Sequence, residues 1–227
     1  MKILAIETSS SSGSIAILED RTLVSEWSVG NAGRHAIWLL PAVKSHLKSA
    51  GLDISQVDLF AVAVGPGSFT GLRIGISTVK GLAWPLGKKA VGVSTLAALA
   101  MNVPFSSRLV CPVLDARKGE VYSALYDTSQ GFPCAVLEDS AMTPAALISE
   151  ISKRGLGGSI VFLGSGLGVY SKVIEEGVSG AVLATGLSLV RASVIGGLAF
   201  ERSGEAVDPA ALTPAYLRRS EAEIKFG

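Results

Sequence analysis

The chain has 227 residues, 48% of them apolar and 17% charged, with a formal net charge of +1. That is enough apolar content to bury a core in one or two compact domains of a soluble globular protein. The near-neutral balance, with no basic run longer than Arg218-Arg219, excludes a strong autonomous nucleic-acid footprint, so any RNA is expected to be held mainly by a partner.

In chain order, Lys2 to Glu7, Ser14 to Leu18 and Thr22 to Val29 are short runs rich in β-formers, separated by a serine-glycine turn and by Glu19-Asp20-Arg21. They read as a three-stranded meander. From His35 to Ala50 the period becomes helical, with Ala36, Leu39, Leu40, Val43, Leu47 and Ala50 on one stripe that should pack on the sheet. The opposite side carries Trp38, Ala42, Ser45 and Ser49, one large aromatic among small side chains. A solvated face rarely looks like that, and it would let a second helix come close.

The next stretch is the one with the strongest local signal. An apolar run at Ala61-Val62-Ala63-Val64 ends in Gly65-Pro66-Gly67, and a helical pattern starts directly after it. Gly65 and Gly67 allow positive φ or close backbone approach, while Ser68 and Thr70 can cap the helix. Together with Gly71 the loop could hold an anion at the helix N-terminus, or its glycines could serve only a sharp turn and tight packing. Neither known phosphate signature fits. A P-loop lacks its Gly-Lys pair, and a dinucleotide fingerprint lacks both the third glycine, where Thr70 stands, and an acid between Leu86 and Gly92. Within the helix, Leu72, Ile76, Val79 and Ala83 form a core stripe, and Arg73, Ser77, Lys80, Gly81 and Trp84 lie opposite. The outward faces of both helices therefore read as a partner surface.

Val110 to Asp115, Glu120 to Tyr126 and Cys134 to Leu137 repeat the opening meander, and a carboxylate closes the first strand of each copy, Glu7 and then Asp115. Pro144 to Lys153 reads as helix and Ile160 to Leu163 as strand. Gly164 to Gly168 is a turn into the helix Val169 to Glu175, and Ser188 to Arg202 is a further helix. From Gly204 the chain reads as an extended tail with a short strand near Tyr216. Two such copies suggest a duplicated α/β fold, with halves at 1–104 and 105–227.

The string Gly65-Pro66-Gly67-Ser68-Phe69-Thr70-Gly71-Leu72-Arg73-Ile74-Gly75 resembles the signature of the bacterial TsaB (YeaZ) family. Further resemblances are Ile3-Leu4-Ala5-Ile6-Glu7-Thr8-Ser9, His35 with Leu39-Leu40-Pro41, Asp115 to Tyr122, and Pro214-Ala215-Tyr216-Leu217-Arg218, which together span nearly the whole chain. The resemblance implies an actin/hexokinase/Hsp70-like duplicated βββαβα fold with a reduced second half. It also implies a non-catalytic subunit of the machinery that makes tRNA N6-threonylcarbamoyladenosine. Such a subunit pairs with TsaD as a heterodimer and works with the ATPase TsaE, supporting threonylcarbamoyl transfer to the adenosine beside the anticodon. Contact with tRNA is then expected to be indirect, and self-pairing is expected when the chain is alone. In that superfamily the strand-end carboxylates face nucleotide phosphates and metal, and a glycine turn like that at Gly164 receives adenosine. Glu7 departs from the usual aspartate, and a carboxylate capping the serine turn is the plainer reading.

Catalytic groups are sparse. His35 and His46 are the only histidines, so the His-x3-His pair that holds metal in TsaD is missing, and no Gly-x-Ser-x-Gly elbow occurs. His35 reads as a helix-end hydrogen-bonding or interface residue. No metal and no cofactor is expected, and glycoprotease activity is not. The alternative is a small-molecule kinase or ATPase using Glu7, Asp115 and the Gly164 turn. Cys111 and Cys134 are too few for a disulfide framework and read as reduced thiols, which points to the cytoplasm. The apolar run Ile3 to Ile6 is too short for a signal peptide, and no uninterrupted apolar stretch is long enough to span a membrane.

Overall fold

The structure, a computed structural model, describes residues 1–30, 34–156, 158 and 160–218. The charged end beyond Arg218, including Arg219, lies outside the described residues. Among the described residues ten strands form two five-stranded sheets. In the first, β1 (Lys2–Glu7), β2 (Gly13–Glu19) and β3 (Thr22–Val29) are antiparallel, and β4 (Leu59–Gly65) and β5 (Lys89–Ser94) add in parallel beside β1, giving the order β3-β2-β1-β4-β5. The second sheet repeats that connectivity. Its strands β6 (Leu109–Arg117), β7 (Glu120–Asp127) and β8 (Cys134–Met142) are antiparallel, with β9 (Ile160–Leu163) and β10 (Val182–Ala184) in parallel beyond β6.

Central strands covered on both faces read as continuous apolar runs, and β1 and β4 are buried along nearly their whole length. β3, at the sheet edge, has no fully buried residue and leaves the consecutive Leu23 and Val24 exposed. On one face of the first sheet lie α1 (His35–Ser49) and α2 (Phe69–Ala83). Against its other face packs α6 (Ala192–Glu201), in which Gly196 makes room for Leu18 and Ala5. The Ser14 hydroxyl accepts from Ala192 N at 2.8 Å and Glu26 accepts from Ser193 N at 2.8 Å, so two strand residues cap this helix across the sheet. The helix therefore starts at Ala192, later than the Ser188 expected from periodicity. On the second sheet, α4 (Pro144–Lys153) and α5 (Leu167–Gly177) enclose a core with Cys111, Leu125 and Phe162.

By compactness the chain forms one unit of Met1–Thr95 with Val190–Tyr216, and a second of Leu96–Leu189 with the described residues after Tyr216. This differs from a single break near residue 104, because the last helix and the tail belong to the first sheet. The short helix α3 (Thr95–Ala100), with β5 before it, was not read from the sequence; within the second unit its Leu99 lies against Gly164. Among the described residues no strand forms near Tyr216. The tail instead makes one bridge from Val207 to Ala90 and sinks Leu212 into the first core.

Candidate interaction surface and strand-end loops

The glycine loop after β4 is filled by the chain's own backbone. Ser68 N donates to Ser9 O at 2.7 Å, the Thr8 hydroxyl donates to Gly71 O at 2.8 Å, and the Ser68 hydroxyl caps α2 by accepting from Gly71 N at 3.3 Å. A Cβ at Gly67 would overlap the Ser9 carbonyl, and one at Gly71 the Thr8 carbonyl. Gly65 has φ 128°, and Ala215 of the tail lies against it, its N–H donating to Val64 O at 2.7 Å. These glycines serve close backbone approach, and the room an anion would need beside Gly67 and Gly71 holds the Thr8-Ser9 segment. Thr70 stays exposed on the first turn. The second glycine turn behaves alike: Gly164 has φ 111° and abuts the Val113 carbonyl, which accepts from Gly166 N at 2.9 Å.

Glu7 is wholly buried at the end of β1. Ser9 gives one of its carboxylate oxygens both a backbone bond of 2.5 Å and its hydroxyl, so Glu7 does tie down the serine turn. The other oxygen has no hydrogen-bond partner among the described residues. Burial pushes the carboxyl up to about 7, against the two Ser9 bonds, which favour the charged form. Its counterpart by pattern, Asp115, is exposed and accepts from Arg117 N at 2.8 Å within a left-handed turn. Among the described residues no three His, Cys, Asp or Glu side chains converge as metal ligands would.

On α2 the core stripe is buried as its spacing predicts, and Arg73, Ser77, Gly81 and Trp84 are exposed. The two basic residues of that face are engaged. Arg73 Nε donates to the Tyr216 hydroxyl at 2.8 Å, with Tyr216 stacked on Phe69 at 4.7 Å, and Lys80 donates to Ala210 O at 2.9 Å. They hold the tail along α2.

α1 is rotated from the expected stripe. Its buried residues are His35, Leu39, Val43 and Leu47, while Ala36 and Leu40, expected inside, are exposed. Trp38, expected outside, turns inward. Its ring sits 4.9 Å from that of Trp27 on β3 and 5.6 Å from that of His35, over Gly13, where any side chain would collide with it. The corner between β2 and β3 needs a large filler, and Trp38 supplies it. Ala42 is half-buried and Ser45 exposed, and the His35 ring nitrogen Nε2 lies 3.0 Å from Ser10 O. The outward residues that periodicity missed are Ile37, 66% exposed, and Leu40, 53% exposed, beside the exposed Pro41. Counting His35 as a core position would have found them, since 35, 39, 43 and 47 form one i, i+4 row.

A family model described as tRNA N6-adenosine threonylcarbamoyltransferase, TsaD, matches residues 31–226. The tRNA threonylcarbamoyladenosine biosynthesis protein TsaB of Bacillus subtilis is 34% identical over 228 aligned residues, covering 100% of this chain and 98% of that one. The chain belongs to the TsaB (YeaZ) family. YeaZ from Pseudomonas aeruginosa superposes with a TM-score of 0.80 at 30% identity, over 95% of this chain and 99% of that chain. More distantly, the activator of the 2-hydroxyisocaproyl-CoA dehydratase from Clostridium difficile matches with a TM-score of 0.51 at 11% identity, over 90% of this chain and 96% of that chain. That likeness concerns fold alone, and the fold is the duplicated actin/hexokinase-like one that the TsaB resemblance implied.

Proposed function

We propose that this TsaB-family chain is a non-catalytic subunit in the synthesis of tRNA N6-threonylcarbamoyladenosine. It docks a TsaD-type transferase through the outer faces of α1 and α2, alongside a TsaE-type ATPase. The observation that carries the reading is the exposed Ile37-Leu40-Pro41 patch on α1, whose neighbouring helix α2 exposes the small Ser77 and Gly81. An exposed apolar patch, bordered by the exposed Lys44 and Lys48 further along the Leu40 row, suits a partner helix, and small side chains on α2 allow close approach. The names of full-length relatives support the pathway, and strand-end glycine turns filled by backbone favour a binding role over chemistry. Without the transferase, the same face is suited to pair with a second copy.

The test is titration with the TsaD homologue of the same organism, followed by light scattering, beside Mg-ATP binding to the chain alone. A stable complex without nucleotide binding is expected. Taking Ile37 and Leu40 out of water contributes on the order of 1 kcal/mol each. The double variant Ile37→Glu, Leu40→Glu, altering only exposed positions, should therefore weaken pairing at least about tenfold and remain folded. Full-strength pairing by that variant would remove the surface from consideration. Tight Mg-ATP binding with no complex would favour the kinase-like alternative.

A further inference from the structure

At the far end of α2 the exposed surface changes character. Trp84, 70% exposed, lines a shallow groove of about 290 Å³ with Gly87, Lys88, Lys89, Asp208 and Pro209. Gly87 is left-handed, and a Cβ there would meet open space. The Asp208 carboxylate, one of the lining groups, accepts from Ala210 N at 2.8 Å, and Lys88 is ion-paired with Asp58 at 3.8 Å, a pair at the surface that a phosphate can exchange into. Lys89 is exposed, and its ammonium has no ion-pair partner among the described residues. We propose that this groove binds single-stranded RNA, with one unstacked base on the Trp84 ring and its flanking phosphates on Lys88 and Lys89.

Lysine is depleted where protein partners pack, whereas an aromatic ring flanked by ammonium groups is the recurring platform for unstacked bases. The proposal rests on the RNA-modification reading and replaces its expectation of purely indirect tRNA contact. It also gives Trp84 an occupant other than the protein partner.

The test uses a fluorescein-labelled single-stranded RNA 12-mer and an unmodified tRNA transcript. Anisotropy is followed with the full chain alone and with its complex with the TsaD homologue. Trp84→Ala should weaken binding of both probes by about 5- to 100-fold, with Trp84→Phe restoring most of it. Lys88→Ala and Lys89→Ala should each reduce the slope of log affinity against log salt by roughly 0.7. Unchanged RNA binding by Trp84→Ala, or no RNA binding by chain and complex, overturns the proposal. So does a loss of pairing with the transferase at unchanged RNA affinity, which would make Trp84 a protein contact. Failure of the subunit reading is seen separately, in the Ile37, Leu40 titration.

Discussion

A buried carboxyl at the end of β1 links residue chemistry to pH. Because the Glu7 pKa is raised to about 7 in the fold, the native chain keeps a proton that the unfolded chain gives up at the ordinary carboxylate pKa. Stability from this group is full below that ordinary value and falls as pH rises toward 7, by on the order of 3 kcal/mol. Glu7→Gln should remove this slope, so denaturant unfolding at pH 5 and pH 8 would differ less in the variant. An unchanged pH dependence would show that the carboxyl is not perturbed. The loop opposite gives a prediction whose sign runs against helix propensity. Gly→Ala within a helix normally stabilises by about 1 kcal/mol. At Gly71 the new methyl meets the Thr8 carbonyl, so Gly71→Ala should cost about 2 kcal/mol and lower Tm by several degrees. A rise in Tm would mean that β1 yields easily.

At the scale of elements, α1 shows how a helix's rotation is chosen. Its sequence carries two overlapping apolar stripes, and hydrophobicity alone favours the one with Ala36 and Leu40 inside. Trp38 decides otherwise, because Trp27 and the bare backbone at Gly13 offer its ring a seat. Trp38→Ala should therefore destabilise the first unit by about 3 kcal/mol, read by thermal unfolding, whereas Leu40→Ala should change stability little. Equal effects would contradict this orientation. In α2 no such competition exists, since Leu72, Ile76, Val79 and Ala83 stand on a single row, and that face was legible directly. What remained illegible was that Arg73 and Lys80 bind the tail, a contact between residues 143 and 130 positions apart for which spacing carries no signal.

For the whole molecule, the first unit is completed only by the last part of the chain. α6 buries Ala192, Ile195, Leu198 and Ala199 against a sheet made by the first hundred residues, and Leu212 enters the same core. A chain ending at Leu189 should lose amide protection in β1, β2 and β4, as measured by hydrogen exchange, because one face of that sheet would be bare. Retained protection there would mean that α1 and α2 suffice. The sequence by itself determined the repeated meander, the strand-loop-helix at Gly65 and the family, since each depends on short-range periodicity, turn residues or a contiguous motif. Tertiary structure alone decided the rotation of α1, the filling of both glycine turns by neighbouring backbone, and the return of α6 and the tail to the first sheet. Those outcomes depend on which apolar face is left uncovered once the sheets have formed, and that is a property of surfaces assembled from residues far apart in the chain.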